Sequence, residues 1–214
     1  MAMQERAIRT RNALIKAAAE LFDQESAASV PLAAISAKAG VSNGALHFHF
    51  PNKAALLDAV VVAAEARLCR ITRPREARPV QALIDASHDL VQGLGRDVVL
   101  RVGFRLSARG ESSESAPDLW RDWQRWVEAT LARAEAEGAL ISEAASKEVS
   151  AVVVAVAAGL QARGESDSRW LERGVLTRFW ALVLPRLVGA SARHRFSAAG
   201  GGQVLQGVPR AQGA

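Results

Sequence analysis

The sequence predicts an all-α fold, and three observations carry the prediction. Gly and Pro are sparse, at 16 and 7 of 214 residues, and the β-branched alternation that marks strands is rare. Ala, Leu, Val, Arg and Glu dominate, a composition that favours helices. Apolar residues recur at three- and four-residue intervals between polar turn segments. With 50% of the chain apolar, a sizeable core is within reach.

The elements follow in order. An amphipathic helix opens the chain, with Ile8, Leu14, Ala18, Leu21 and Phe22 as its apolar side. The run Leu32 to Lys53, LAAISAKAGVSNGALHFHFPNK, then reads as two short helices around a tight turn. Leu32, Ile35 and Ala39 share one side of the first. Gly40 supplies the turn, because glycine enters the left-handed region without steric cost. Val41 packs into the angle, and Ser42 is a good N-cap for the second helix. Ala45, Leu46 and His49 offer that helix a packing face, and Phe48 and Phe50 are expected in the core. A longer helix runs from Lys53 to about Ile71 on Leu56, Leu57, Val60, Val61 and Ala64. Thr72 to Pro79 is a turn region.

Beyond it, Val80 to Gly93 forms a helix with Leu83, Ile84, Ser87, Leu90 and Val91 inward, and Asp97 to Ala108 forms the next. Gly110 to Pro117 is a polar loop. Asp118 to Glu137 has an acidic start, an apolar stripe and Gly138 as its stop. Glu143 to Ala162 carries Val149, Val152, Val153, Val156 and Leu160. After a turn at Gly164 to Asp167, a last helix spans Ser168 to Val188, with Leu171, Val175, Phe179, Leu182 and Val183 along one side. Pro185 is expected to kink or end it. Past Gly189 the composition turns to Ala, Gly, Ser and Gln and predicts a mobile tail.

Two short helices around G-V-S form a helix-turn-helix pattern, which holds one helix in a DNA major groove. The flanking order sharpens it: an amphipathic helix before, and the aromatic HFHF with Pro51 and Lys53 after. Ala18, Leu21-Phe22, Leu32, Ile35, Ala39-Gly40-Val41-Ser42, Gly44-Ala45-Leu46, Phe48-His49-Phe50 and Lys53 together resemble the DNA-binding domain of the TetR family of transcriptional repressors, over about residues 4 to 60. VSNGALHFHF, then VVLRVGFRLSARG (Val98 to Gly110), then a helix carrying Trp123, is similar to the γ-butyrolactone-receptor branch of that family. The resemblance implies a homodimeric repressor of antibiotic biosynthesis that leaves DNA on binding a small diffusible lactone.

That reading divides the chain into a DNA-binding domain at 1–53, a ligand-binding and dimerisation domain at 54–189 and a mobile basic tail at 190–214. At the DNA end, the amides and hydroxyl at Ser42 suit a phosphate. Asn43 can pair with adenine or bond a phosphate, and Gly44 admits close backbone approach. His47 and His49 are rim residues able to reach phosphates, and Lys53 caps the next helix against the DNA backbone. The expected partner is a pseudo-palindromic double-stranded operator. Asn43, where relatives often carry Lys, His47 in place of Tyr, Pro31 in place of a capping Thr, and Ser26 in place of Gly are departures from the family pattern. They bear on operator sequence and affinity.

At the other end the resemblance aligns Trp123 with a tryptophan that lines the lactone pocket. Phe104, Leu83, Val156 and Leu160 are its expected neighbours, and Trp120 and Trp126 are expected to fill core. Two positions that are polar in lactone-binding relatives are Ala64 and Leu160 here, so a largely apolar effector is expected, a butyrolactone-type signal or an antibiotic. The Lys53 to Ile71 helix is expected to be the one element joining pocket and head. Dimerisation is expected through the last two helices. The alternative is a dimeric partner-binding module with weakened DNA binding and no small-molecule ligand.

Other functions find little support. Ser87-His88-Asp89 is contiguous on a helix, where adjacent side chains diverge by about 100° and cannot form a triad. P-loop and dinucleotide fingerprints are absent, so no enzyme and no cofactor is expected. His47 and His49 lie about 200° apart on a helix and cannot share a metal ion. Cys69 is the single cysteine, which excludes an internal disulfide. The apolar runs are too short to span a bilayer, and the charged N-terminus has no secretory pattern, so a cytoplasmic location is expected. The net charge of +5 sits largely in residues 186–214, which hold four Arg and no acid, so it is not itself a DNA-binding signal.

Overall fold

A computed structural model describes residues 2–74, 78–141 and 143–201. Among them every regular element is helical. Three helices form the N-terminal head: α1 (Ala2–Gln24), α2 (Leu32–Lys38) and α3 (Asn43–His49). Six build the body: α4 (Lys53–Ile71), α5 (Pro79–Arg96), α6 (Val98–Arg109), α7 (Leu119–Ala136), α8 (Glu143–Gly164) and α9 (Arg173–Leu187). Short 3-10 helices lie at Ser168–Leu171 and Ala190–Arg195. No helix among the described residues is long and apolar enough to cross a membrane. The expected turn at Thr72 to Pro79 falls partly on 75–77, outside the described residues.

Local chemistry sets most boundaries. Gly40 takes φ +68° between α2 and α3. The Asp97 carboxylate accepts from the amides of Val99 and Leu100 at the start of α6, and Asp118 caps α7 through Arg121 N. Each such cap satisfies a donor the helix leaves open. The left-handed Gly110 and Gly138 close α6 and α7.

One continuous core runs from α1 to Val188. It takes in Leu14, Ala18 and Phe22 from α1, but Ile8 is 53% exposed. At the α4–α6 crossing a methyl placed on Gly103 would overlap Ala64 Cβ. The two backbones therefore meet across the Ala64 methyl, with no larger side chain between them.

Two sequence expectations are corrected at the C-terminal end. Ser168 to Val188 is not one helix: the chain is extended at Glu172, at φ −69° and ψ 143°, which separates the 3-10 turn from α9. Pro185 stands in the last turn of α9, which ends at Leu187. Nor is 190–201 a free tail. It forms the second 3-10 helix and then lies across α5 and α9. The remainder of the expected tail, 202–214, lies outside the described residues.

Candidate nucleic-acid interface and body core

The head is built to present α3. Ser42 Oγ accepts from Ala45 N at 3.1 Å, so Ser42 alone caps the helix. Leu46 and Phe50, one turn apart, point inward and are buried. That register leaves Asn43, Gly44 and His47 exposed and His49 half-buried. It also corrects the placement of Phe48, which is 81% exposed rather than core. Phe48 lies about 200° around the helix from Leu46, and its ring meets His49 edge-on at 5.2 Å. Ser42, Asn43, Gly44, His47 and Phe48 thus form one accessible surface. Phe48 is the member that sequence reasoning missed, although the inward spacing of Leu46 and Phe50 carried the signal.

Lys53 is placed differently from the expectation. Its ammonium donates to Ala27 O at 3.0 Å and Ala28 O at 2.8 Å, which clamps the α1–α2 loop to the start of α4. The cap of α4 is Asn52, whose Oδ1 accepts from Ala55 N. Two of the three Lys53 donors are committed inside the protein, which leaves one for a phosphate. Pro31 makes no side-chain cap to α2. Lys38 is paired with Glu20 at 3.2 Å. Arg6, Arg9 and Arg11 are exposed cations along α1, and Arg11 stands over the Phe50 ring at 5.3 Å.

In the body, the five expected pocket residues belong to helices that pack on one another. Trp123, Phe104 and Leu83 are fully buried, Leu160 is buried and Val156 is partly so. Trp123 stacks on Trp126 at 5.2 Å, and Phe104 meets Trp120 edge-on at 4.8 Å. Trp123 Nε1 is buried without a hydrogen-bond partner among the described residues. An orphan donor of this kind costs on the order of 1–3 kcal/mol, so an acceptor brought beside it binds with that advantage. Ala64, the position read as a lost polar contact, packs against Gly103 at the helix crossing. Among polar residues, Thr130 and Gln161 are buried. Thr130 follows Trp123 by two turns on α7, and Gln161 donates to Arg101 O. Ser87 Oγ donates to Leu83 O and His88 Nε2 to Ala198 O, so neither engages the other.

The α4 helix is not the sole connection between head and body. Arg101 of α6 donates through Nε and Nη2 to the two Asp23 oxygens of α1, at 3.1 and 2.6 Å. Arg105 donates to Phe22 O at 2.5 Å and reaches Asp23 at 3.4 Å. On its other side Arg105 lies 4.0 Å from Glu165, beyond the end of α8. A polar chain therefore runs from the end of α1 through α6 to α8. The loop between α6 and α7 is held by Asp58 of α4, which accepts from Ser113 N and Oγ, each at 2.8 Å.

Comparison with known proteins finds relatives of the head and of most of the chain. Residues 14–60 match the TetR family of bacterial regulatory proteins. The chain is 28% identical over 188 residues to the A-factor receptor protein of Streptomyces griseus, covering 87% of this chain and 67% of that protein. A γ-butyrolactone receptor (ArpA-like protein) superposes with a TM-score of 0.77 at 26% identity, over 91% of this chain and 96% of the other. CprB of Streptomyces coelicolor, solved in complex with its operator sequence, superposes with a TM-score of 0.76 at 26% identity, over 89% and 94%.

Proposed function

This chain carries a TetR-family DNA-binding head and is similar along its length to the γ-butyrolactone receptors, and on that premise we propose that it is a ligand-responsive transcriptional repressor. It binds a pseudo-palindromic operator as a homodimer, and a small, mostly apolar effector releases it. Secondary-metabolite or efflux genes are the expected targets. The observation that carries the DNA half is the outward face of α3, where a rigid turn and a Ser42 cap hold Asn43, Gly44, His47 and Phe48 in the open. Asn43 suits an adenine edge, Phe48 suits a thymine methyl, and Ser42, His47 and His49 suit phosphates.

The effector half rests on Trp123. Its indole N–H is an unpaired donor inside an apolar set that includes Phe104, Leu83 and Leu160. A ligand with one acceptor, such as a lactone carbonyl, matches it. The dimer half rests on α8 and α9. Leu182 is 76% exposed, Val152 is exposed, and Val156, Val175, Phe179 and Val183 are half-buried beside the core. Val153 of α8 and Leu171 of the first 3-10 turn point inward instead. Pairing α8 and α9 with a second copy gives a four-helix interface. It sets two α3 helices about one DNA turn apart, roughly 34 Å.

A second reading, a dimeric partner-binding module with weakened DNA contact and no ligand, is favoured by Lys53 and Pro31. The first is engaged internally, and the second caps nothing. Fluorescence anisotropy with DNA from upstream of its own coding region separates the two. Saturable, salt-dependent binding that butyrolactones or antibiotics reverse, with quenching of tryptophan emission, supports the repressor. Binding no tighter than to random DNA supports the second reading.

A further inference from the structure

The segment after α9 returns over the body, where Phe196 and Ala198 pack against the core and its backbone is hydrogen-bonded to α5 and α9. Gln81 Oε1 accepts from Ser197 N at 2.8 Å, and Asp85 Oδ1 accepts from Gly201 N at 2.7 Å. His88 Nε2 lies 2.9 Å from Ala198 O. From α9, Arg173 donates to the carbonyls of Ala199 and Gly200. Gln81, Asp85 and His88 recur at four and three residues, which makes them one stripe of α5. Gly200 takes φ +73°, and a Cβ there would stand 3.1 Å from His88 Cδ2 and 3.3 Å from Asp85 Oδ1. Only glycine fits this approach without strain. The segment thus bridges α5 and α9 in a shaped groove.

His88 is the titratable member of that groove. A carbonyl only accepts, so Nε2 carries the proton toward Ala198 and Nδ1 is the bare nitrogen. Nδ1 is buried with no hydrogen-bond partner among the described residues. A second proton would create a buried N–H without an acceptor and a cation near Arg173. We propose that residues 197–201 are a latch that clamps α5 to α9 while His88 is neutral and lets go when the imidazole is protonated. The groups facing His88 are Asp85 and Asp89 from its own helix, Arg173 from α9 and the Ala198 carbonyl of the latch. The two carboxylates and the carbonyl favour the charged ring. Burial, the largest influence, and Arg173 oppose it, and the net effect lowers the pKa of His88 below the ordinary histidine value. On this proposal the latch's share of that burial outweighs the pull of its own Ala198 carbonyl, so docking lowers the pKa of His88; such a group stabilises docking above its undocked value and loses that contribution as pH falls through the docked one.

Hydrogen exchange on the full chain tests this, read as protection of the Ser197 and Gly201 amides from about pH 8 to about pH 5, across the range where histidine titrates. Each rate is corrected for intrinsic exchange. Protection is expected to fall with acidification, by at most about tenfold per pH unit, while helix content by circular dichroism holds. His88→Gln, which keeps a donor in the place of Nε2, is expected to flatten the profile. If that variant fails to dock, the ring titration of His88 in the wild-type chain and in Gly200→Val decides. Displacing the latch with Val should move the midpoint upward. Protection that is constant across the range, a fall that follows global loss of helix, or an unmoved His88 midpoint in Gly200→Val would overturn the proposal.

Discussion

Asp23→Ala is the most direct perturbation of the link between head and body. Asp23 accepts two bonds from Arg101 and lies within 3.4 Å of Arg105. The side chains are 25%, 20% and 14% exposed, so solvent screens the group only in part. A charge-assisted hydrogen bond of this kind contributes about 1.5–3 kcal/mol. Arg101 keeps Leu94 O and Arg105 keeps Phe22 O after the change, which limits the loss to about 2 kcal/mol. Urea unfolding should show a lower midpoint with an unchanged slope. A cycle with Arg101→Ala should return a coupling energy of about 1–2 kcal/mol. If that energy holds the head in its DNA-competent orientation, its loss weakens specific DNA binding by up to about 30-fold. Simple electrostatics predicts the opposite, since removing an acid strengthens attraction to phosphate. Tighter binding by Asp23→Ala, or a coupling energy below about 0.3 kcal/mol, would refute the orienting role.

Phe48→Ala should change stability by no more than about 0.5 kcal/mol, as expected for an exposed site, yet weaken specific DNA binding in anisotropy titrations; unchanged affinity would remove Phe48 from the interface. Lys53→Ala should cost about 1–2 kcal/mol in urea through the two lost carbonyl contacts, and a slope of affinity against salt reduced by less than 1 would show that the side chain is mainly structural. Trp123→Phe should leave DNA binding intact and blunt effector release, whereas Trp123→Ala is expected to cost about 3–5 kcal/mol by opening a core cavity and is the poorer probe. Gly103→Ala should cost about 1–3 kcal/mol through overpacking, and moving the methyl by adding Ala64→Gly should recover part of it.

What the sequence made legible was mostly local. Ser42, Asp97, Asp118, Gly110 and Gly138 act on amides or turns within a few residues, so their chemistry reads directly from order along the chain. The helical stripes of α5 and α7 read as well, because burial repeats with the turn of the helix. Features that depend on distant partners did not read. Lys53 looks like a phosphate contact until Ala27 and Ala28 are brought beside it. Residues 190–201 carry the composition of a loose tail, and their partners Gln81 and Asp85 lie more than a hundred positions earlier. Ala64 resembled a vacated polar site because the sequence gives no sign that Gly103 fills the space against it. Phe48 was different in kind. Its register with Leu46 was available, and aromatic character was read as burial.

The α4–α6 crossing has a mechanical consequence. Helices that meet through long side chains can slide, because rotamers change to let one ridge pass another. At Gly103 and Ala64 there is no rotamer to change, so the contact acts as a fulcrum: the helices can pivot there but not slip. Lys53 stands eleven residues from Ala64 along α4, a lever arm of about 16 Å at 1.5 Å per residue. A tilt of about 10° at the fulcrum therefore swings the start of α4, and the clamped loop it carries, by about 3 Å. A small rotation of α6 against its neighbours would in this way reach the head enlarged, with no travelling rearrangement of the core between them.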